Sequence, residues 1–112
     1  MVFDVITHSG NAYRLKVFEE QLLNHPLFRS GVILVRFVLP KNDTYITSVP
    51  IIHGECGDDY NGPNGIICRQ IRSLEVFTEF PEVPWYFSGK DDTWINPENM
   101  MDYLDKMEQV AN

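Results

Sequence analysis

The residues best suited to chemistry lie between His53 and Cys68, in the stretch HGECGDDYNGPNGIIC. His53-x2-Cys56 followed by Cys68 offers three nitrogen and sulfur ligands, with His8 or His25 as a possible fourth. Structural zinc sites are usually built from two short-spaced ligand pairs, and only one such pair is present. His53-x-Glu55 matches half of the zinc-deaminase signature, but the Pro-Cys-x-x-Cys half is missing. Asp58, Asp59, Asn61 and Asn64 are oxygen ligands whose spacing misses the calcium-loop pattern. The stretch is therefore read as a glycine-rich connection with turn chemistry at Asp58-Asp59 and Asn61-Gly62. Its two cysteines are expected to be reduced and unliganded, with no metal and no cofactor.

Catalysis by a thiol or a carboxylate pair finds little support. A nucleophilic cysteine needs a depressed pKa, and Arg69 is the only cation near Cys68 in sequence. Asn64–Cys68 resembles, over five residues, the segment before the active cysteine of ubiquitin-conjugating enzymes. The histidine of that segment's turn is absent here and the element order differs, so no family is assigned. Glu75 and Glu79, placed on one strand face, would stand about 13 Å apart, too far to act on one bond. No serine-histidine-aspartate order or glycine-rich phosphate loop is present. The chain is expected not to be an enzyme.

Charge and aromatic residues point elsewhere. Sixteen acidic residues against nine basic ones give a formal charge of −7, and the basic residues are scattered singly. Nucleic-acid binding needs clustered Lys and Arg, so it is not expected. Phe77, Phe80, Trp85, Tyr86, Phe87 and Trp94 interleave with Glu75, Glu79, Glu82, Asp91 and Asp92. Trp85 and Tyr86 could anchor a partner or complete the core, while Phe80 and Trp94 read as core. The sites expected to touch a partner are Trp85, Tyr86, Glu75, Glu79, Glu82, Asp91 and Asp92. The function expected is that of a small acidic module that occludes a basic protein surface: an inhibitor, an immunity or counter-defence protein, or a nucleic-acid mimic. The alternatives are a small enzyme or ligand-binding domain using the 53–68 loop, and a structural subunit of an assembly.

The elements that must position these residues are read from periodicity and turn chemistry. The 112 residues suit one domain, 1–112, with no membrane span and no secretory signal, so a cytoplasmic location is expected. The first segment reads as a hairpin turning at Gly10-Asn11, then a short helix closed by Pro26; the rival reading is a helix over 11–24. GVILVRFVLP, 31–40, reads as a central strand buried on both faces. TYITSVPII, 44–52, IICRQIR and the alternating SLEVFTEF read as further strands. Asn96, Pro97 and Glu98 open a C-terminal amphipathic helix with Met100, Tyr103, Leu104, Met107 and Val110 on one face. The fold class expected is α+β: a mostly antiparallel, twisted sheet of five or six strands with that helix packed on one face.

Overall fold

The computed structural model describes residues 1–56, 65–79, 82–92 and 95–111, the side chains of Leu22 and Ala111 excepted. The expected antiparallel sheet is overturned. The fold is α+β with four parallel strands in one sheet, in the order β3-β2-β1-β4. The strands are β1 (Val2–Ile6), β2 (Leu34–Leu39), β3 (Ile51–His53) and β4 (Tyr86–Lys90). Four helices accompany them: α1 (Ala12–Leu22), α2 (Pro26–Arg29), α3 (Ile66–Phe77) and α4 (Pro97–Ala111). β1 is central, pairing Asp4 with Arg36 of β2 on one side and with Ser88 of β4 on the other.

Four of the expected strands are corrected. The Gly10-Asn11 turn is a 3₁₀ turn leading into α1, so the first segment is strand then helix rather than a hairpin. The alternation of Tyr13, Leu15 and Val17 misleads there: Leu15 and Phe18 are buried together, while Tyr13 and Val17 face solvent. Glu19, which falls on α1 among these apolar residues, has partners of its own. Its carboxylate accepts from the Tyr45 hydroxyl at 2.9 Å and from the Thr47 hydroxyl. The strand expected over 44–52 shrinks to β3, which begins only after Pro50, a residue with no N–H to give a ladder. The segments IICRQIR and SLEVFTEF form one helix, α3.

Parallel strands need a crossover between neighbours, so helices cover both faces of the sheet. On one face Phe3, Val5, Val35, Phe37 and Leu39 pack with Leu15 and Phe18 of α1 and with Met100 and Met101 of α4. On the other face Ile6, Val38 and Ile52 meet Ile66 and Val76 of α3. The expected central strand is β2, buried as its apolar run requires. The expected C-terminal helix is α4, whose first turn is capped by Asn96 Oδ1 accepting from Asn99 N at 3.0 Å. Leu104 is buried, but Tyr103, Met107 and Val110 of the expected apolar face are exposed.

The face under α3 has a polar layer. Asp4 and Arg36, both buried, pair through two hydrogen bonds of 2.8 Å, from Arg36 Nε and Nη2. Ser73 Oγ donates to Asp4 Oδ2 at 2.6 Å and also meets the Tyr86 hydroxyl. Gln70 extends the network, donating to the Tyr86 hydroxyl at 3.1 Å and accepting from Ser88 Oγ at 2.8 Å. Burying two charges is tolerable only with such close pairing and satisfied lone pairs. The network therefore fixes how α3 sits on β1, β2 and β4.

Candidate functional site

The connections decide where a ligand would sit. From β1 the chain passes through α1 and α2 to β2 on one side. From β3 it passes through α3 to β4, on the other side of β1. The boundary between β1 and β4 is thus the point where the strand order reverses, and open α/β sheets bind ligands in the crevice beyond the strands' carboxyl ends at such a point. A crevice of about 90 Å³ lies there, lined by Thr7, His8, Asn11 and Arg14 from the β1 side, Ile66 and Arg69 from α3, and Lys90, Asp91 and Asp92 after β4.

Asp91 holds this place together. Its Oδ2 accepts from Thr7 Oγ1 at 2.9 Å and from Asn11 Nδ2 at 2.6 Å, and its Oδ1 accepts from Arg14 Nη1 at 3.2 Å. These bonds tie the end of β4 to the end of β1 and the start of α1. The hydrogen bond to Asp91 also raises the Arg14 pKa above its ordinary value, with smaller coulombic contributions from Asp91 and Asp92 among the further causes. His8 is held over the turn, where Gly10 N donates to His8 Nδ1 at 3.1 Å. A Cβ at Gly10 would stand 2.6 Å from the His8 ring, so only glycine lets the imidazole lie so close.

Two helix N-termini open on the same crevice. Asn11, the residue before α1, spends its side chain on Asp91 and makes no capping bond to the helix. α3 starts after Gly65, which has no side chain to cap with. α1 continues the 3₁₀ turn, where Gly10 N bonds His8 Nδ1, Asn11 N bonds His8 O and Ala12 N bonds Ser9 O, so what both helices offer an anion is the positive end of their dipoles. Arg14, Arg69 and Lys90 bring three of the chain's nine Lys and Arg residues to the same crevice. The scattered cations of the sequence thus converge in space.

The residues expected to touch a partner are dispersed. Trp85 is half-buried, and its Nε1 donates to Glu108 Oε1 at 2.7 Å. Tyr86 is half-buried, its ring 4.9 Å from that of Phe77 and its hydroxyl in the polar network. Both rings thus have partners inside the fold. Glu75 lies on α3, paired with Arg72 at 3.5 Å, and Glu79 just beyond it; both are exposed, as is Glu82. Asp91 turns inward, and Asp92 is exposed at the crevice rim. Phe80 and Trp94 lie outside the described residues.

The 53–68 stretch needs a correction. Cys56 and Cys68 form a disulfide, with Cα atoms 5.9 Å apart, rather than two free thiols. His53 is exposed, its Nδ1 3.2 Å from the Pro40 carbonyl oxygen, and His25 caps α2 by accepting from Leu27 N at 3.2 Å. Asp58, Asp59, Asn61 and Asn64 lie outside the described residues. Among the described residues no group of three His, Cys, Asp or Glu side chains could hold a metal ion.

Sequence reasoning missed Thr7, Asn11, Arg14 and Lys90, and weighed His8 only as a zinc ligand and Arg69 only as a neighbour of Cys68. The available signal was the polar THSGN directly after an apolar run, which fits a strand-to-helix turn as well as a hairpin. Comparison of the chain with protein-family models, with curated proteins and with solved structures gives no match.

Proposed function

We propose that the crevice at the carboxyl ends of β1 and β4 binds the phosphoryl groups of a small phosphorylated ligand of the mononucleotide class. The observation that carries this reading is the meeting of the starts of α1 and α3 with Arg14, Arg69 and Lys90 at the reversal of strand order. Size narrows the ligand. A space of about 90 Å³ is roughly three water volumes, enough for a charged head group but not for a whole cofactor. The base and sugar of a nucleotide would lie outside it.

The turn after β1, Thr7-His8-Ser9-Gly10-Asn11, has one glycine and lacks the glycine-rich dinucleotide fingerprint. Phosphate charge here would be balanced by side chains, and by a divalent cation shared between the exposed Asp92 and the phosphates, the usual mode for magnesium. Such a setting suits group transfer from a phosphate-activated donor, in which cationic groups stabilise the departing phosphate. Asp91, with its three hydrogen bonds, serves as the fastener of the site.

The disulfide bears on location. Disulfides persist in oxidising compartments, so the Cys56–Cys68 bond supports action outside the reducing cytoplasm expected from the sequence. Among the described residues no helix is long and apolar enough to cross a membrane.

Calorimetric titration with pyrophosphate and with a nucleoside diphosphate, each with and without Mg²⁺, tests the reading. Binding should weaken in Lys90→Ala and in Arg14→Ala, and stay unchanged in His53→Ala, which lies on β3, the edge strand opposite β4. Absence of binding by the wild-type chain, or binding indifferent to Lys90 and Arg14, sinks the proposal. Loss in His53→Ala alone would move the site to the 53–68 stretch.

A further inference from the structure

α3 meets the sheet through Ile66 and Val76 at the ends of its inner side, but the middle of that side is polar. Arg69 and Ser73 are buried there, while Ile67, Ile71 and Leu74 stand 63%, 54% and 50% exposed. These three follow the i, i+4, i+7 spacing that places side chains on one line along a helix. A helix packed on a sheet ordinarily turns such a line inward, because each exposed aliphatic side chain forgoes burial. Here the polar layer around Asp4 and Arg36 occupies the middle of the inward side. The apolar line faces out.

The charges beside this line have a pattern of their own. A shallow depression of about 380 Å³ lies beside it, bordered by Ile71 of the line and by the disulfide, Arg72, Glu55 and Glu75. Arg72 is paired with Glu75 at 3.5 Å and Lys41 with Glu55 at 3.4 Å, so the cations of this rim are already matched. Glu79 and Glu82 add further exposed carboxylates beyond the helix. The last turn of α3 has no basic residue. Glu75 and Glu79 therefore sit at the negative end of the helix dipole, where carboxylates are disfavoured and a cation is stabilised.

We propose that the outer face of α3 is a docking ridge for a basic amphipathic helix supplied by another protein. Apolar anchors of that helix would lie along Ile67, Ile71 and Leu74, as in other helix-in-groove contacts. Its Lys or Arg residues would face Glu75 and Glu79, meeting both the carboxylates and the helix terminus. A second copy of the chain fits poorly, since it carries the same charge of −7 and the same acidic rim. The ridge lies on the side of α3 opposite Arg69, so this surface does not depend on the crevice or on what the crevice binds.

The probe is a short helical peptide with leucine on one face and lysine on the other, compared with its leucine–glutamate counterpart. Binding to the intact chain is followed by fluorescence anisotropy at low salt and at about 0.5 M salt. The lysine peptide should bind, the glutamate peptide should not, and salt should weaken the complex. Ile71→Ser with Leu74→Ser should weaken binding roughly tenfold or more. Glu75→Lys with Glu79→Lys should weaken it and flatten its salt dependence. Met107→Ser on α4, which packs on the opposite face of the sheet, controls for adhesion to any exposed apolar residue and should bind as the wild type does. All substituted positions are exposed, and unchanged circular dichroism verifies folding. Four results overturn the proposal: no binding of the lysine peptide, equal binding of the glutamate peptide, indifference to the α3 substitutions, or a wild-type dimer that Ile71→Ser with Leu74→Ser converts to monomer.

Discussion

Reduction of the Cys56–Cys68 bond should destabilise the fold by an amount that follows from its place in the chain. The two cysteines are 12 residues apart, and closing a loop of that length removes denatured-chain entropy worth about 3 kcal/mol in the chain-entropy treatment. Against a usual stability of about 5–15 kcal/mol, that is a large share. The bond ties the chain just after β3 to the first turn of α3, so its loss also frees the element that carries Arg69. The assay is urea denaturation of the native protein with and without a phosphine reductant. With a slope of about 1–3 kcal/mol per molar urea, the midpoint should fall by roughly 1–3 M. The slope should rise slightly, because the reduced unfolded chain is less compact. The reduced wild type is a cleaner comparison than Cys56→Ala, since Cys56 is buried and its truncation adds a packing loss. A midpoint that does not move on reduction would refute the reasoning. So would two reactive thiols in the untreated protein.

Two further outcomes are expected. Burial and the Glu19 carboxylate, as hydrogen-bond acceptor and as negative charge, push the Tyr45 pKa from 10.0 up to about 12. Because the folded-state value is the higher one, this stabilisation is present in full below pH 10 and is lost as pH rises from 10 through 12. Stability measured across that window should therefore fall more steeply in the wild type than in Tyr45→Phe; identical curves would assign the loss to other groups. On α4, Leu104→Ala should cost about 2–5 kcal/mol, and Asp105→Ala less than about 0.5 kcal/mol. Equal costs in denaturant melts would place Leu104 outside the core.

The sequence was legible where burial and local chemistry agree. The run that forms β2 is apolar on both sides because the strand is covered on both faces, and Asn96-Pro97 opens α4 by local rules alone. α3 was not legible for a physical reason. Its inward line runs Ile66, Arg69, Ser73, Val76, apolar only at the ends, while Ile67, Ile71 and Leu74 are exposed, so a search for an inward apolar stripe is misled. The alternation around Leu74 and Val76 then reads as a strand. α1 was obscured by Glu19, whose partners Tyr45 and Thr47 lie well along the chain and leave no local trace. The crevice was hidden because Thr7, Arg69 and Asp91 come together only when parallel strands are assumed, and two- or three-residue turn signals favoured a hairpin.

The central place of β1 also constrains how the molecule can assemble in time. Val2–Ile6 emerges first, yet it takes its two neighbours from Leu34–Leu39 and from Tyr86–Lys90. The first pairing can form early, but the second must wait until nearly the whole sheet-forming sequence has been made. Until then one side of β1, and the Asp4 carboxylate that Ser73 completes, lack their final surroundings. Closing so long a loop carries an entropic cost before any contact repays it, which slows folding. Fragments that stop short of Tyr86 would therefore keep the innermost strand's edge open, the form most prone to pair with a neighbouring chain.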